Sequence, residues 1–529
     1  MSMQTKLTPQ PSSLPSHILS LIDRCSSISH LKQIHSHLIT HGHGGNQPFL
    51  FKLIRLSYLS FSSFSYSRLI FSSLKFPNVF IYTAMLTAYS QRSDSFSVLQ
   101  LFVEMLRRGD AKPNEFVYPL VLRACSEESD LNLFKSVHGH AIKSLFGEFG
   151  ILQSSLLDGY VRLGDVKTAR ELFDGMPERN IVCWTALVSG YARVGKVGNA
   201  IALFDQMPER DVPSWNAIIS GCAHNGFNSE AVTFFQKMVE SGARPNKTTI
   251  FCTLSACGHM GMLRLGKQMH GYAYRTYTCF DSFVVNGLMD MYGKCGCLTE
   301  AQWIFDNLSD KNLTTWNSLI NCFALQGYSK IAVSTFDRMQ ESGVVPDEIT
   351  FVGLLNACAH GGFVNQGLSY FYNMTLEYGI EPSIEHYGCV IDLLSRAGRF
   401  IEAIDIITNM KIKPDEVIWG SILNGCRIYR EKDLAEIATK KLLELDPNNA
   451  DYTVILANMY SESGLWDEMR TVRKVMRDTE SKKLPGCSWV EVNKRTWQFY
   501  SGDRAHPESD DIYRILDNLS ENLESVSLM

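Results

Sequence analysis

The chain lacks the usual features of metal-binding, membrane-spanning and strongly basic proteins. No C-x-x-C occurs among its 14 cysteines, and the closest pair, Cys295 and Cys297, has the wrong spacing for a zinc knuckle. No run of about 18 apolar residues is free of charge, so no membrane span is predicted. The net charge is −5. Since this gives no basic field, binding of nucleic acid would need a shaped groove.

Cysteine and histidine clusters that suggest metal have simpler interpretations. Four similar phrases ("LRAC", "LSAC", "LNAC", "LNGC") place Cys125, Cys257, Cys358 and Cys426 at apolar helical positions, which predicts buried, reduced thiols and a reducing compartment. The histidines of "VHGH" (137–140) and "KQMH" (267–270) fall at the same place in successive long repeats and are expected to pack on a helix surface. No metal or other cofactor is predicted.

What the sequence does contain is a repeat. "LFDGMPERN" at 172–180 returns 31 positions later as "LFDQMPERD" at 203–211. The turn phrases define consecutive units of 35, 35, 31 and 35 residues, namely 212–246, 247–281, 282–312 and 313–347. Since 529 residues are too many for one ordinary core, this periodicity indicates a repeat array.

Each unit is predicted to be a pair of helices. In 313–347, Trp316, Leu319, Ile320 and Phe323 follow the spacing i, i+3, i+4, i+7, and a second amphipathic stretch ends at "GVVPD". One such hairpin cannot bury its apolar stripe alone. Consecutive copies should therefore stack into an α-solenoid that winds to the right or to the left.

At this level of detail the chain resembles a plant pentatricopeptide repeat protein with alternating standard, long and short repeats. The resemblance rests on "WNSLI", "NGLMDMYGKCG", "ARELFDGMPERN", "GKQMHGYA" and "EHYGCVIDLLSRAGR". It implies an all-α fold, a right-handed superhelix of helix-turn-helix repeats, with about 12 repeats in 16–415. Residues 416–486 resemble the family's E motifs and 487–529 the short E+ extension. Tetratricopeptide repeats, the nearest alternative, would not alternate in length.

The resemblance also implies a base-reading code. One base is read per repeat, by the fifth residue, which chooses base size, and by the last residue. Ionised Asp accepts a hydrogen bond from the ring N–H of U or G, whereas Asn donates to the bare ring nitrogen of A or C. The alternative is that these residues only cap helices or form turns. The predicted pairs are Thr83 with Asn114 (A), Ser154 with Asn180 (A), Thr185 with Asp211 (G), Asn216 with Asn246 (pyrimidine), Asn286 with Asn312 (pyrimidine) and Asn317 with Asp347 (U).

Long repeats interrupt this code, because pairs such as Phe251 with Asp281 match no rule. The expected footprint from 5′ to 3′ is therefore A, any, A, G, pyrimidine, any, pyrimidine, U. Six contacts of roughly 1 to 3 kcal/mol each would specify a site in a small genome.

Family members with this C-terminal organisation are site-specific factors for C-to-U editing of organelle transcripts. A zinc deaminase needs H-x-E followed by C-x-x-C. His506-Pro507-Glu508 fits the first part, but Cys487, the last cysteine, lies upstream. The resemblance therefore implies that the chain is not an enzyme: it binds single-stranded organelle RNA, and through 416–529 it recruits a cytidine deaminase and editing accessory proteins in trans.

The location and the exact role leave alternatives open. The first 22 residues contain no acid and one lysine, which favours an organelle transit peptide, assigned to 1–15, over a frayed terminus. We expect a mitochondrial protein, with the chloroplast as the alternative. An intron-splicing or transcript-stabilising factor is the second functional hypothesis, and a peptide-binding helical scaffold is the third.

Overall fold

A computed structural model describes residues 20–144, 150–277, 282–447, 449–478, 487–492, 495–500 and 502–527. The predicted transit peptide, 1–15, lies outside these ranges. The chain divides into two compact units between Gly221 and Cys222. In the first unit, the helices are α1 Ile28–Thr40, α2 Gln47–Leu59, α3 Phe64–Ser72, α4 Val79–Gln91, α5 Ser95–Arg108, α6 Val117–Glu127, α7 Leu131–Lys143, α8 Gly150–Arg162, α9 Val166–Gly175, α10 Ile181–Arg193 and α11 Val197–Asp205.

The division falls within α12, Val212–His224. The second unit continues with α13 Asn228–Glu240, α14 Lys247–Met260, α15 Leu263–Thr276, α16 Ser282–Lys294, α17 Leu298–Asp306, α18 Leu313–Leu325, α19 Ser329–Glu341, α20 Glu348–Gly361, α21 Val364–Leu376, α22 Ile384–Arg396, α23 Phe400–Asn409, α24 Glu416–Tyr429, α25 Lys432–Leu445, α26 Ala450–Glu462, α27 Trp466–Asp478 and α28 Ser509–Ser527.

Within each unit, helical hairpins stack one on the next, which confirms the predicted all-α repeat fold. Most hairpins turn at a glycine with positive φ, such as Gly164 at 81° and Gly327 at 77°, whereas Ser93, Ser129 and Arg430 hold the same conformation at three other hairpin turns. Glycine is favoured there because a side chain makes this conformation costly. The direction in which the array winds stays a prediction.

Aromatic pairs join the second helix of one repeat to the first helix of the next. Phe173 meets Trp184 edge-on with ring centroids 4.8 Å apart, and Phe305 meets Trp316 in the same way at 4.7 Å. These are the aromatic positions of the repeated phrases "FD" and "W". The phrases recur because the same edge-to-face contact is built at these junctions.

The "PER" part of the repeated phrase ends the second helix. Arg179 donates from Nε to the carbonyl of Phe173 at 3.0 Å, and its guanidinium lies 5.0 Å from the Phe173 ring centroid. Arg210 bonds the carbonyls of Phe204 and Asp205 at 3.1 and 3.0 Å. The arginines thus satisfy carbonyls that have no partner inside the helix and complement the helix dipole.

Beyond the array, α24 to α27 form two further helical hairpins. They are followed by an element that the sequence analysis did not predict: an antiparallel β-hairpin of β1 Cys487–Val492 and β2 Arg495–Tyr500. The ring of His506 lies 4.3 Å from that of Trp497, and its Nδ1 accepts from the Glu508 N–H at 3.1 Å. His506 therefore packs on the hairpin. In the described part of the chain, no helix could span a membrane.

Candidate nucleic-acid interface

In five of the six code pairs, the last residue is itself the cap of the first helix of the following repeat, whereas Asn114 lies two residues before Phe116, the N-cap residue of α6. In all six pairs, the side-chain oxygen of the last residue accepts a hydrogen bond from the backbone N–H three residues later, at the place where a helix has free N–H groups. The distances are 3.2 Å at Asn114, 2.9 Å at Asn180, 2.9 Å at Asp211, 3.0 Å at Asn246, 3.0 Å at Asn312 and 2.9 Å at Asp347.

The capping interpretation is thus correct, but at Asn180 and Asp211 it accounts for only one polar atom of the side chain. Asn180 keeps its amide Nδ2, which carries two donors, and Asp211 keeps its second carboxylate oxygen, which only accepts. Because the cap uses an oxygen in both cases, the remaining atom has opposite hydrogen-bonding character in Asn and in Asp. The backbone donors also settle which end of the Asn amide is the oxygen.

The fifth and last residues are directly bonded in two of the predicted pairs. Asn180 Nδ2 donates to Ser154 Oγ at 3.3 Å, and Asn317 Nδ2 donates to Asp347 Oδ1 at 2.9 Å. These contacts join side chains 26 and 30 positions apart. They place two residues from successive first helices at one point, as a two-residue base reader requires.

The other predicted pairs are less directly joined. Three of them show no direct hydrogen bond in the described ranges: Thr83 with Asn114, Thr185 with Asp211, and Asn286 with Asn312. Asn286 Oδ1 is buried and has no hydrogen-bond partner among the described residues. The members of the remaining pair, Asn216 and Asn246, belong to different compact units.

The Asn317–Asp347 pair is packed closely against Thr350. Asn317 is 4% exposed and Thr350 is fully buried. The Thr350 hydroxyl lies 2.6 Å from Asn317 Oδ1 and 2.8 Å from Asp347 Oδ1. No described residue donates to Asp347 Oδ2, so an acceptor remains beside a fixed amide.

Sequence reasoning missed a set of exposed apolar residues at the second position of the repeats. Scattered surface hydrophobics are ordinary, but these recur at one repeat position, two residues after the last residue of the preceding repeat. The sequence signal that could have revealed them is an apolar residue directly before the first buried position of the helix. The set comprises Phe80, Phe116, Ile151, Val182, Phe283, Ile349 and Val417.

In the long repeat 247–281, whose residue pair matches no code, an aromatic ring stands at the fifth position and meets the exposed second-position ring of the next repeat. Phe251, the fifth residue, stacks on Phe283 with centroids 4.3 Å apart and ring planes 25° apart. A phenyl ring offers no donor or acceptor with which to distinguish bases. Asp281, the last residue of this repeat, lies outside the described residues.

The histidines of the long repeats are packed, as predicted. His138 Nδ1 lies 2.9 Å from the Tyr160 hydroxyl and His270 Nδ1 lies 3.0 Å from that of Tyr292. Burial lowers the pKa of both histidines, so they are neutral at pH 7. In the ranges that the structure describes, no cluster of His, Cys, Asp or Glu could hold a metal ion.

The cysteines predicted to be buried are confirmed as buried free thiols: Cys125, Cys257, Cys358 and Cys426. Burial raises the pKa of Cys125, Cys358 and Cys426 to about 12. Because the thiolate is the reactive form, these residues are packing residues and not nucleophiles.

Comparison with known proteins agrees with the repeat. The family model described as "PPR repeat" matches 80–110, 154–181, 182–212, 283–313 and 385–413, and that described as "PPR repeat family" matches 210–259 and 311–360. A pentatricopeptide repeat-containing protein of Arabidopsis thaliana is 48% identical over 512 residues, which cover 95% of each chain. The chain belongs to the pentatricopeptide repeat family.

This pentatricopeptide repeat protein also carries an E motif: the family model described as "E motif" matches 429–491. The match begins within α24 and ends in β1. A second Arabidopsis thaliana relative, named chloroplastic/mitochondrial, is 33% identical over 545 residues, covering 99% of this chain and 80% of its own. The crystal structure of a maize pentatricopeptide repeat protein has a TM-score of 0.49 at 18% identity and covers 86% of this chain and 72% of that one. The repeats of this family are helical scaffolds and not catalysts.

Proposed function

We propose that the chain binds single-stranded organelle RNA by sequence and acts as an adaptor for site-specific C-to-U editing. The observation that carries the proposal is that the helix cap uses one oxygen of the last-position side chain at Asn180, Asp211 and Asp347. The second polar atom, which is the atom that differs between Asn and Asp, can then bond a base. The arrangement belongs to the repeats that carry the code, at a spacing that suits one base per repeat.

The Asn317–Asp347 pair illustrates the chemistry. Uracil presents a ring N–H beside a carbonyl oxygen. Asp347 Oδ2 would accept from that N–H, and the second amide hydrogen of Asn317 would go to the carbonyl. Cytosine has a bare ring nitrogen there, so two acceptors would face each other. A pair with Asn at the last position, such as Ser154 with Asn180, has the opposite preference.

The exposed second-position residues would add affinity without selectivity. Side chains such as Phe80 and Val182 lie two residues after a capping residue, and apolar surfaces of this kind suit the faces of bases. Stacking on aromatic side chains contributes roughly 1 to 3 kcal/mol per base and tolerates any sequence. Such contacts would compensate for a net charge of −5, which offers the phosphates little attraction.

The editing role rests on the C-terminal region. The E motif at 429–491 supports recruitment of a cytidine deaminase and editing accessory proteins in trans through 416–529, with no catalysis by this chain. We propose a mitochondrial location, with the chloroplast as the alternative; the dual label of one relative is compatible with either.

The test is to sequence all mitochondrial and plastid transcripts from plants with and without the protein and to score C-to-U conversion and splicing at every site. We expect one or a few cytidines to lose editing, each a few nucleotides downstream of A-n-A-G-Y-n-Y-U. Intact editing with a retained intron or a lost transcript end would replace the editing role by splicing or stabilisation. RNA affinity that survives scrambling of the code pairs would favour a peptide-binding scaffold.

A further inference from the structure

We propose that Thr350 is a positioning residue that sets the specificity of the Asn317–Asp347 base reader. The inference rests on the proposed base-reading function. Thr350 is the third residue of α20, in the repeat that follows the one that reads the base, and it is not a member of the two-residue code. Because it is fully buried, it acts through Asn317 and Asp347 and not through contact with RNA.

The hydroxyl of Thr350 connects both members of the pair. It lies 2.6 Å from Asn317 Oδ1 and 2.8 Å from Asp347 Oδ1, and it accepts from the Asp347 N–H at 3.1 Å. A hydroxyl has one hydrogen to donate. Asp347 Oδ1 already accepts from the Thr350 N–H and from Asn317 Nδ2, both at 2.9 Å. The hydrogen therefore goes to Asn317 Oδ1, the nearer oxygen.

This bond holds the amide of Asn317 in one orientation. Its oxygen faces Thr350, and its nitrogen faces Asp347. In the flipped orientation the amide oxygen would face the Asp347 carboxylate, acceptor against acceptor. When the Thr350 hydroxyl is present, the Asn317 oxygen has a donor and the Asn317 nitrogen has an acceptor. The second amide hydrogen, which remains for a base, therefore has a fixed direction. Without it, the Asn317 oxygen would be buried with no donor among the described residues, at a cost in preorganisation.

The expected consequence is a loss of selectivity more than a loss of binding. Thr350→Val keeps the shape of the buried side chain and removes the hydroxyl. Preference for U over C at the eighth base of the footprint should fall roughly three- to tenfold, the range that one net hydrogen bond gives. Thr350→Ser, which retains the hydroxyl, should keep the preference of the wild-type protein.

Thr315→Val is the matched control. Thr315 occupies the same position one repeat earlier, is also buried, and places its hydroxyl 2.6 Å from the capping residue Asn312. No bond joins it to a fifth-position residue within the described ranges. It should lose a similar amount of stability and leave the preference at the eighth base unchanged.

The measurement is the dissociation constant of the full chain for two RNAs that fit the footprint and differ only in U or C at the eighth base, below the melting temperature of each variant. Wild-type protein with no preference for U would overturn base reading and this inference together. A wild-type preference that persists in Thr350→Val, or that Thr350→Ser loses equally, would overturn the inference alone. If Thr350→Val does not fold, Thr350→Cys decides: its volume is similar and its donor is weak, so an unchanged preference would count against the hydroxyl.

Discussion

The repeated phrases that end in Asn180 and Asp211 provide a reciprocal test of base reading. The two residues occupy equivalent places: each follows a "MPER" sequence, and each accepts a backbone N–H at 2.9 Å to cap a first helix. Asn180→Asp and Asp211→Asn exchange the last letters. Because Asp and Asn are equally good capping residues, the exchange should change the melting temperature little. It should, however, reverse the hydrogen-bonding character of the atom left for the base.

The magnitude follows from the chemistry of that atom. Asn180→Asp replaces a donor by an acceptor opposite the ring nitrogen of adenine, so the third base of the footprint should change from A to G. Asp211→Asn should change the fourth base from G to A. Each mismatch should cost about 1 to 3 kcal/mol, and since 1.4 kcal/mol is a factor of ten, binding should weaken roughly 5- to 150-fold.

The assay is equilibrium binding of the wild-type protein, both single variants and the double variant to four RNAs, with A-G, G-G, A-A or G-A at the third and fourth bases. Each protein should prefer a different RNA, and the double variant should prefer G-A. Asn180→Ala removes cap and donor together, and thus separates the loss of stability from the loss of selectivity. Equal weakening of all four RNAs by both exchanges would refute the argument, because it would mean that these side chains act only as caps.

Three further predictions concern the scaffold. Gly190→Ala should destabilise the protein by about 1 to 3 kcal/mol, because an added Cβ would lie 2.9 Å from both methyl groups of Val161. Gly198→Ala, which has open space around the added Cβ, is the control, and equal melting temperatures of the two variants would contradict the close packing at Gly190. Arg210→Met should lower stability by about 1 kcal/mol in thermal melting, because it removes two bonds to helix-end carbonyls; an unchanged melting temperature would show that water replaces them. Cys358, whose pKa burial raises to about 12, should react with a thiol reagent at pH 8 only after the protein is unfolded, and rapid labelling of the folded protein would indicate that this core opens.

The interface was predictable to the extent that local chemistry determines it. A capping residue and the backbone N–H that it satisfies lie three positions apart, so "PERN" and "VVPD" show the beginning of the next helix directly. The apolar spacing of Trp316, Leu319 and Ile320 likewise showed the buried face of α18. These are contacts within one helix, and they depend on the sequence of a few residues.

Contacts between repeats needed the folded chain. The Thr350 hydroxyl meets Asn317 across 33 positions, and Phe251 stacks on Phe283 in the next repeat. Both depend on the register in which one first helix lies against another, which spacing within a repeat does not contain. The β-hairpin at 487–500 was missed for a related reason: its strands are short, and what stabilises them is their pairing and the packing of Trp497 against His506.

The sequence alone determined the repeat length, the helix pairs, the family and the choice of Asn or Asp at each last position, because periodicity and capping are written within a few residues. The tertiary structure decided which fifth and last residues are bonded to each other, and which buried hydroxyl joins Asn317 to Asp347. Those properties arise only when consecutive first helices are packed together, since hydrogen bonds between side chains require atoms within about 3.5 Å and not residues at a given spacing.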